Sequence, residues 1–401
     1  MNTYKIKELR MDSVELKCML VSRGVKVDKG VYKQAKNTAR LNINPLCCNC
    51  ILLSDGTVVQ LTDTQFHLQY LSGILSWDNL KLLRHVKDLA TPFSLRMQNG
   101  QTVLFYEDEE VDVVTFPPVS HFYKQKTASG RPFVGNAVLQ GLDWVAFQCL
   151  WPCEFAGSGK ACQFCFSGGD FDNLAKKGKP LPRAVPAADV KEIISYAFEY
   201  DKVSGIQITG GSTYDGKSEA EHIAAYLDVI KDLQMPGELL LYITPPTDRV
   251  IADQYFELGA SRIACSLEVW DMDRAGKITP GKINLVGREK YLQMLEYIAE
   301  KFGSGKAFSN FIIGIEDFAT LAEGATWLAQ RGILPAASVW MPMGRPVMGS
   351  MKAPPLDYYK RVKELFAELY VKHELEPPKS KGLNVCVERD IWNYATGHQI
   401  V

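Results

Sequence analysis

The chain lacks the features that would assign it to a membrane, a secretory route or a nucleic acid. Its 401 residues contain no run of about 18 apolar residues, so no transmembrane helix is predicted. The net charge of −1 gives no electrostatic attraction for nucleic acid or an acidic membrane surface. The first residues also lack the apolar core of a secretory signal. We therefore expect a cytoplasmic protein that binds neither nucleic acid nor a membrane.

Cysteine, in contrast, is plentiful, with 10 residues. In a reducing compartment, clustered thiols favour metal or redox chemistry, and a disulfide framework is the alternative. Four of the cysteines form the pattern C-x3-C-x8-C-x2-C, at Cys149, Cys153, Cys162 and Cys165. Three thiolates on one loop can hold three irons of a 4Fe–4S cluster and leave the fourth iron open.

The ligands of this cluster are expected to be Cys153, Cys162 and Cys165. Cys149 falls at the end of a predicted strand, where the pleat fixes its side-chain direction. Beyond it, Gly157 and Gly159 allow the loop to wrap tightly around a cluster. A zinc knuckle that uses all four cysteines is the alternative interpretation.

A second group of thiols stands at Cys47, Cys48 and Cys50. A single iron or zinc ion bound there, with Cys18 completing the site, would satisfy tetrahedral thiolate geometry. Cys47 and Cys48 are adjacent and point apart in an extended chain, so both can bind only at a sharp turn. Buried thiols without a ligand role are the alternative.

The order of predicted elements indicates an α/β protein. Residues 1–135 read as a strand-rich N-terminal domain, and residues 136–345 alternate strands with helices. Six such units predict a parallel sheet curved into a partial (β/α)6 barrel, whose working residues lie at the carboxyl ends of the strands. Residues 346–401 are a small C-terminal region. The predicted N-terminal elements are extended segments at 14–21, 58–61, 102–106 and 111–116 and a helix at 79–89.

Several residues suited to ligand binding follow the predicted barrel strands. Gly210, Gly211 and Ser212 form a turn whose backbone can approach a ligand. Glu268 places a carboxylate where it could hold a ribose diol, and Arg288 opens the next helix and could pair with an amino acid carboxylate. Each also has an ordinary interpretation, as a turn or a surface ion pair. Their succession at strand ends behind a cysteine loop favours a common site.

On these residues the chain resembles the radical S-adenosylmethionine (SAM) superfamily over roughly residues 141–345. The resemblance implies that three cysteines bind the cluster and that Phe164 lies near the adenine. It also implies that the turn at Gly210 and Gly211 contacts the methionyl amino group and that Glu268 holds the ribose. Two departures are the longer cysteine spacing and Ser212 where a glutamate is common.

The spacing, the flanking Q-C-L-W-P-C motif and the N-terminal cysteines narrow this resemblance to a family of methanogenesis marker proteins. These radical SAM methyltransferases methylate an sp3 carbon of an arginine in methyl-coenzyme M reductase. The resemblance implies a dependence on cobalamin, assigned loosely to residues 305–401, although the chain has no D-x-H-x-x-G cobalamin loop. It also implies a tyrosine near the open iron, for which Tyr123 is the candidate, with an interface tyrosine as the alternative.

The function expected from this resemblance is C-methylation of a protein arginine. The partners would be the alpha subunit of methyl-coenzyme M reductase as substrate and an external electron donor. Glu316 or Asp317 at the barrel mouth could bind the guanidinium. Two alternatives are a radical SAM peptide- or protein-modifying enzyme without cobalamin, and a non-catalytic binding module stabilised by zinc.

Overall fold

The structure of the chain is a computed structural model. It describes residues 1–31, 50–61, 90–118, 120–133, 136–148, 153–165, 184–213, 217–235, 237–342, 348, 351–383 and 385–398. Within these residues no helix is long and apolar enough to cross a membrane.

The centre of the fold is a seven-stranded sheet that curls into a half-barrel. Six neighbouring strands are parallel, and the strand at one edge, residues 137–140, pairs antiparallel with its neighbour. Their interior sequences are almost wholly apolar, as expected of parallel strands covered on both faces. The prediction of a partial barrel is confirmed. The strands are β9 (Ala137–Gln140), β10 (Trp144–Gln148), β11 (Gly205–Thr209), β12 (Glu238–Tyr242), β13 (Arg262–Ala264), β14 (Ala307–Ile313) and β15 (Leu334–Val339).

Helices cover the outer face of this sheet. In the helix Ala187–Tyr200 the buried positions Val190, Ile193, Ile194 and Ala197 follow the helical period, so that one face packs on the strands. The helices that connect or follow the barrel strands are α2 (Glu154–Gly157), α3 (Ala187–Tyr200), α4 (Lys217–Asp232), α5 (Arg249–Glu257), α6 (Met272–Ile278), α7 (Arg288–Phe302) and α8 (Phe318–Ala329). A π-helix, Lys282–Val286, lies between α6 and α7.

The N-terminal part is rich in short strands, as predicted. A four-stranded sheet has the order β3-β6-β7-β8, and two hairpins, β1–β2 and β4–β5, accompany it. The predicted segments 58–61, 102–106 and 111–116 correspond to β5, β7 and β8, whereas the predicted helix at 79–89 lies outside the described residues. The strands are β1 (Thr3–Ile6), β2 (Leu9–Asp12), β3 (Lys26–Val27), β4 (Cys50–Leu52), β5 (Val58–Gln60), β6 (Phe93–Gln98), β7 (Gln101–Tyr106) and β8 (Glu109–Val114).

The prediction of an extended segment at 14–21 is wrong, because this segment is helical. Helix α1 (Ser13–Arg23) begins with a capping box in which the Asp12 and Glu15 side chains each accept the other residue's backbone N–H, both at 3.0 Å. Residues 13–22 are all buried, so no polar face marks the helical period in the sequence. The capping box therefore indicates a helix in a segment where the hydrophobic pattern does not.

The C-terminal region packs on the barrel and on α1. Helices α9 (Leu356–Lys372) and α10 (Glu388–Thr396) contact each other, and residues 385–387 pair with β15 through Val339 N–H to Val385 O, at 3.0 Å, and Val387 N–H to Ala337 O, at 2.9 Å. The buried Lys17 ammonium of α1 donates to Asp390, at 2.7 Å, and to the carbonyl oxygens of Leu383 and Cys386.

The amino ends of the barrel strands are covered by the chain's own C-terminal segment. Arg262 at the start of β13 donates to Glu376 O at 2.7 Å, and the Trp144 indole of β10 donates to Lys379 O at 3.1 Å. Asp143, just before β10, accepts the Ser380 hydroxyl at 3.0 Å. Since this end is occupied, the carboxyl ends of the strands are the side at which a ligand can enter.

Candidate active site

A pocket lies at the carboxyl ends of the central strands, where the sequence predicted the working residues. The cysteine loop forms one wall, the turn after β11 forms a second, and residues after β13 and in the π-helix form a third. Its lining includes the predicted residues Cys153, Cys162, Phe164, Cys165, Gly210, Gly211, Ser212 and Glu268, together with Tyr242, Ser266, Lys282 and Tyr291.

The three cysteines reach the pocket from one short, well-anchored loop. Cys153 is the N-cap residue of α2, and its sulfur accepts the Ser212 backbone N–H at 3.4 Å. The N–H of Cys165 donates to Cys162 O at 3.1 Å, which turns the end of the loop back on itself. Gln163 N–H donates to Ile278 O, at 2.8 Å, and holds this part of the loop against α6.

The loop and the turn after β11 are in close contact because residue 211 is glycine. A Cβ at Gly211 would lie 2.6 Å from the Cys153 Cα and 2.7 Å from its backbone nitrogen, which real side chains do not tolerate. Glu154 N–H also donates to Ser212 O at 2.9 Å. The Gly-Gly turn therefore positions the first cysteine of the loop and lines the pocket at the same time.

The electrostatics of the cysteine loop depend on a partly buried lysine, Lys282. Burial raises the pKa of the Cys162 thiol to about 12, Lys282 opposes this rise, and Cys165, Glu268 and Cys153 add to it. Burial alone would lower the pKa of Lys282, but the Glu268 carboxylate and Cys162 outweigh it and raise that pKa. Neighbouring thiolates are thus unfavourable without positive charge, which the irons of a cluster would provide.

Glu268 is held by a network that continues through the barrel interior. Its backbone has a φ of 70°, in the left-handed region that non-glycine residues rarely adopt. The carboxylate accepts the Lys282 ammonium at 3.2 Å and the Asn310 side-chain amide at 2.7 Å. Ser338 donates to the Asn310 carbonyl oxygen at 3.0 Å and lies 3.3 Å from the Cys386 sulfur.

Arg288 does not line this pocket. Its guanidinium lies 3.9 Å from the centre of the Trp270 ring and donates to the Trp270 carbonyl oxygen. Burial lowers the pKa of Arg288, and the nearby Glu289, Glu316 and Glu323 oppose that effect. The structure therefore places the predicted carboxylate-binding cation in a stacking role outside the cavity.

Glu316, Asp317 and Tyr123 also lie outside the pocket lining. Glu316 is 6% exposed, and its carboxylate accepts the backbone N–H groups of Trp270 and Asp271 at 2.8 and 2.6 Å. Asp317 is the N-cap of α8 and accepts the Thr320 N–H at 3.0 Å. The Tyr123 hydroxyl accepts the Leu139 N–H at 3.0 Å. These contacts give all three side chains structural partners.

The predicted second metal site is only partly within the described residues. Cys18 is buried in α1 and Cys50 is buried in β4, while Cys47 and Cys48 lie outside the described residues. Burial, above all, raises the pKa of the Cys18 thiol, which disfavours the thiolate that a metal requires. The second site stays a prediction.

A four-iron cluster fits the donor set of the pocket. Within the described ranges no three His, Cys, Asp or Glu side chains are spaced to hold one metal ion. A cubane offers a separate iron to each thiolate, so three cysteines around one pocket can bind it without meeting at one point. SAM fits the same pocket, because a carboxylate, a cation and a glycine turn stand beside these cysteines.

Cobalamin has no comparable support. The described part of residues 305–401 supplies β14, β15 and helices whose large side chains, such as Phe366 and Tyr370, belong to the hydrophobic core. This arrangement identifies no cobalamin-binding residues, and cobalamin remains a prediction from resemblance.

Sequence reasoning missed Lys282, Tyr291 and Asn310. Lys282 lies in a π-helix. The hydrophobic period of a π-helix matches neither the 3.6-residue period of an α-helix nor the two-residue period of a strand, so the sequence gives no pattern for this segment. Tyr291 lines the pocket from α7, and its buried hydroxyl has no hydrogen-bond partner among the described residues. Asn310 is a polar residue in the middle of the buried strand β14. A polar side chain in an otherwise apolar strand is unusual, so the sequence pattern could have indicated a role for Asn310.

Comparison with known proteins agrees with this geometry. Residues 156–319 match the model of the Radical SAM superfamily, which supports the prediction of a SAM-dependent enzyme with an iron–sulfur cluster. The chain is 25% identical over 292 residues to the bacteriochlorophyllide c C-7(1)-hydroxylase of Chlorobaculum limnaeum, covering 69% of this chain and 72% of that protein.

Solved structures resemble the chain more distantly. Streptococcus suis SuiB bound to the precursor peptide SuiA has a TM-score of 0.40 and 15% identity over 59% of this chain, and the chain spans about half of that protein, 48%. A radical SAM methyltransferase from Sphaerobacter thermophilus has a TM-score of 0.41 and 13% identity, covering 71% of this chain and 78% of that protein.

Proposed function

We propose that this chain is a radical SAM enzyme that modifies an unactivated C–H bond of its substrate. The observation that carries the proposal is the pocket in which Cys153, Cys162 and Cys165 meet the Gly-Gly turn and Glu268. An open iron beside a ligand pocket is the arrangement that reductive cleavage of SAM requires. The family match to residues 156–319 supports the same assignment.

Each pocket residue then has a proposed role. Cys153, Cys162 and Cys165 would hold the cluster, which, with SAM bound, would supply the radical chemistry for hydrogen abstraction. Gly210, Gly211 and Ser212 provide backbone groups for the methionyl end of SAM, and Phe164 lies beside the adenine. Glu268, oriented by Asn310, accepts the ribose hydroxyls. The protein thereby orients SAM and excludes water from the reacting groups.

The specific reaction proposed is C-methylation of an arginine in a protein, as in the family that the cysteine motifs resemble. The substrate proposed is the alpha subunit of methyl-coenzyme M reductase, with an external electron donor. Cobalamin, as the methyl source, and a second metal at the N-terminal cysteines belong to the same proposal. The division of the chain into domains 1–135, 136–345 and 346–401 is also part of this proposal. These points rest on the sequence motifs.

A second candidate follows from the relative that is named a bacteriochlorophyllide hydroxylase. Its 25% identity extends over 69% of this chain, well beyond the cysteine loop. In this alternative the pocket serves the same initial hydrogen abstraction, but the substrate is a small organic molecule. Its carbon radical would lose one electron to an external acceptor and take up a hydroxyl group from water, which releases a proton.

The test is anaerobic incubation of the cluster-loaded protein with SAM and a reductant in separate samples, which contain either an arginine peptide, with and without cobalamin, or a tetrapyrrole with an added electron acceptor. Mass spectrometry should find 5′-deoxyadenosine and one added methyl group on the peptide, and C162A should form neither product. Added oxygen on a tetrapyrrole substrate, with no methylated peptide, would favour the second candidate. Absence of 5′-deoxyadenosine from protein with a full complement of iron and sulfide would contradict both.

A further inference from the structure

We infer that the Tyr291 hydroxyl donates a hydrogen bond to a sulfur atom of the iron–sulfur cluster and thereby raises the reduction potential of the cluster. This inference rests on the proposed function for the presence of the cluster. It gives a role to a buried side chain that neither the binding of SAM nor the cysteine loop explains, namely control of how readily the cluster accepts an electron from the reductant.

The first support is a buried hydroxyl without a partner. Tyr291 lines the pocket from α7 and is 1% exposed, and its hydroxyl makes no hydrogen bond within the described part of the chain. A buried tyrosine hydroxyl usually has a partner, because it has given up its hydrogen bonds to water. An unsatisfied donor in a pocket wall therefore indicates an acceptor on a bound ligand.

The second support is that the polar groups beside Tyr291 have other partners or cannot accept a proton. The Lys282 ammonium lies 6.0 Å from the centre of the Tyr291 ring, but an ammonium has only donors. This ammonium donates to Ser266 O and to the Glu268 carboxylate, which also accepts the Asn310 amide. The hydroxyl is thus left to donate to a group that enters the pocket.

The third support is the electrostatic proximity of Tyr291 to the cysteine loop. Burial raises the pKa of the Tyr291 hydroxyl, and among the nearby groups that add to this rise Cys162 contributes most. The hydroxyl therefore keeps its proton and lies near a proposed cluster ligand. The sulfur atoms of a bound cluster accept hydrogen bonds, so they supply the acceptor that the described residues do not.

Such a hydrogen bond changes the reduction potential because the two oxidation states of the cluster differ in charge. The reduced cluster has gained one electron, so its sulfur atoms accept the hydrogen bond more strongly. The hydroxyl thereby favours the reduced state. Phenylalanine at position 291 keeps the ring and removes this donor, and it should make the cluster harder to reduce.

The test is a potentiometric titration of anaerobic, cluster-loaded protein without SAM, in which electron paramagnetic resonance measures the reduced fraction. At the midpoint potential of the wild type, Y291F should lower the ratio of reduced to oxidised cluster by roughly two- to tenfold, the range of one net hydrogen bond. The ratio is measured only on protein that carries a cluster, so a partly loaded variant still gives it.

The matched control is Y297F, which makes the same change on the same helix. The Tyr297 hydroxyl lies outside the pocket lining, donates to Asp253 at 2.7 Å and accepts the Lys301 ammonium at 3.0 Å. Its removal should leave the ratio of reduced to oxidised cluster unchanged.

A second measurement needs no cluster. Because Y291F removes a buried hydroxyl that has no partner, the cluster-free variant should resist urea at least as well as the wild type. Y297F loses two hydrogen bonds and should unfold at a lower urea concentration.

Three results would overturn the inference. An unchanged ratio in Y291F would mean that the hydroxyl does not act on the cluster, and an equal change in Y297F would mean that the effect is not specific. A clearly lower urea midpoint of cluster-free Y291F would mean that the hydroxyl has a partner within the protein. If the wild type loads a cluster and cleaves SAM but Y291F leaves the ratio unchanged, only this inference fails. A wild type that forms no cluster would contradict both the inference and the proposed function.

Discussion

Substitution of Gly211 by alanine should separate the cysteine loop from the turn that supports it. The new Cβ would lie 2.6 Å from the Cys153 Cα and 2.9 Å from its Cβ, so the loop or the turn must move. The obstructing atoms are backbone or stem atoms, which no side-chain rotation can displace. Overpacking of this kind costs about 1–3 kcal/mol. If the substitution destabilises the conformation that binds SAM by this amount relative to other conformations, the affinity for SAM falls by roughly 5- to 150-fold.

The assay is iron and sulfide content after anaerobic reconstitution, followed by calorimetric titration with SAM. We expect G211A to hold substoichiometric cluster or to bind SAM at least about fivefold more weakly. The matched control is G276A, since Gly276 is a helical glycine whose added Cβ would meet nothing within 4 Å. Alanine there should stabilise α6 by about 0.5–1 kcal/mol and leave the cluster unchanged. A G211A protein with full cluster and wild-type SAM affinity would show that the close contact between residue 211 and Cys153 is not needed to form the site.

Three further predictions concern groups that hold the site and the fold. K17M leaves the Asp390 carboxylate buried without its cationic partner, which lies at 2.7 Å in the wild type. Urea titrations should show a free energy of unfolding that is lower by about 3 kcal/mol. A loss below about 1 kcal/mol would show that the ion pair is dispensable. Burial raises the pKa of Glu219 to about 8 from 4.5, so between those pH values the unfolded chain releases a proton that the folded chain keeps. Wild-type stability should therefore fall with rising pH, by at most about 1.4 kcal/mol per unit relative to E219Q, and parallel pH profiles would contradict this. N310A removes the 2.7 Å hydrogen bond to Glu268. The affinity for SAM should fall by about tenfold, and the affinity for a 2′,3′-dideoxy analogue should fall much less. Equal losses of affinity for both ligands would mean that Asn310 has only a structural role.

The barrel was predictable from the sequence because its strands are short apolar runs followed by helices of regular period. Residues such as Ile206, Ile208, Ile263 and Phe311 are buried on a sheet that is covered from both sides, so they need no alternation with polar residues. Cys153, Cys162, Gly211 and Glu268 meet at one pocket for the same reason. Each follows a parallel strand, and the carboxyl ends of those strands share one edge.

The rest depends on geometry that local patterns do not contain. Helix α1 is buried all round, so its residues 14–21 gave no helical polar face, and only the capping box at Asp12 marked its start. Lys282 enters the pocket through a π-helix. The position of Arg288 at the start of α7 indicates a residue near the strand ends, but its guanidinium stacks on Trp270, a contact between distant residues that no local pattern contains.

The proposed cluster ligands can be tested by the metal content and SAM response of anaerobically reconstituted protein, compared between the wild type and the triple variant C153A/C162A/C165A. A cluster bound by these three cysteines should give four irons and four sulfides per wild-type chain and a change in the electron paramagnetic resonance spectrum of the reduced cluster when SAM is added. The variant should lose both. Zinc in place of iron, or a cluster that does not respond to SAM, would contradict the proposed cluster.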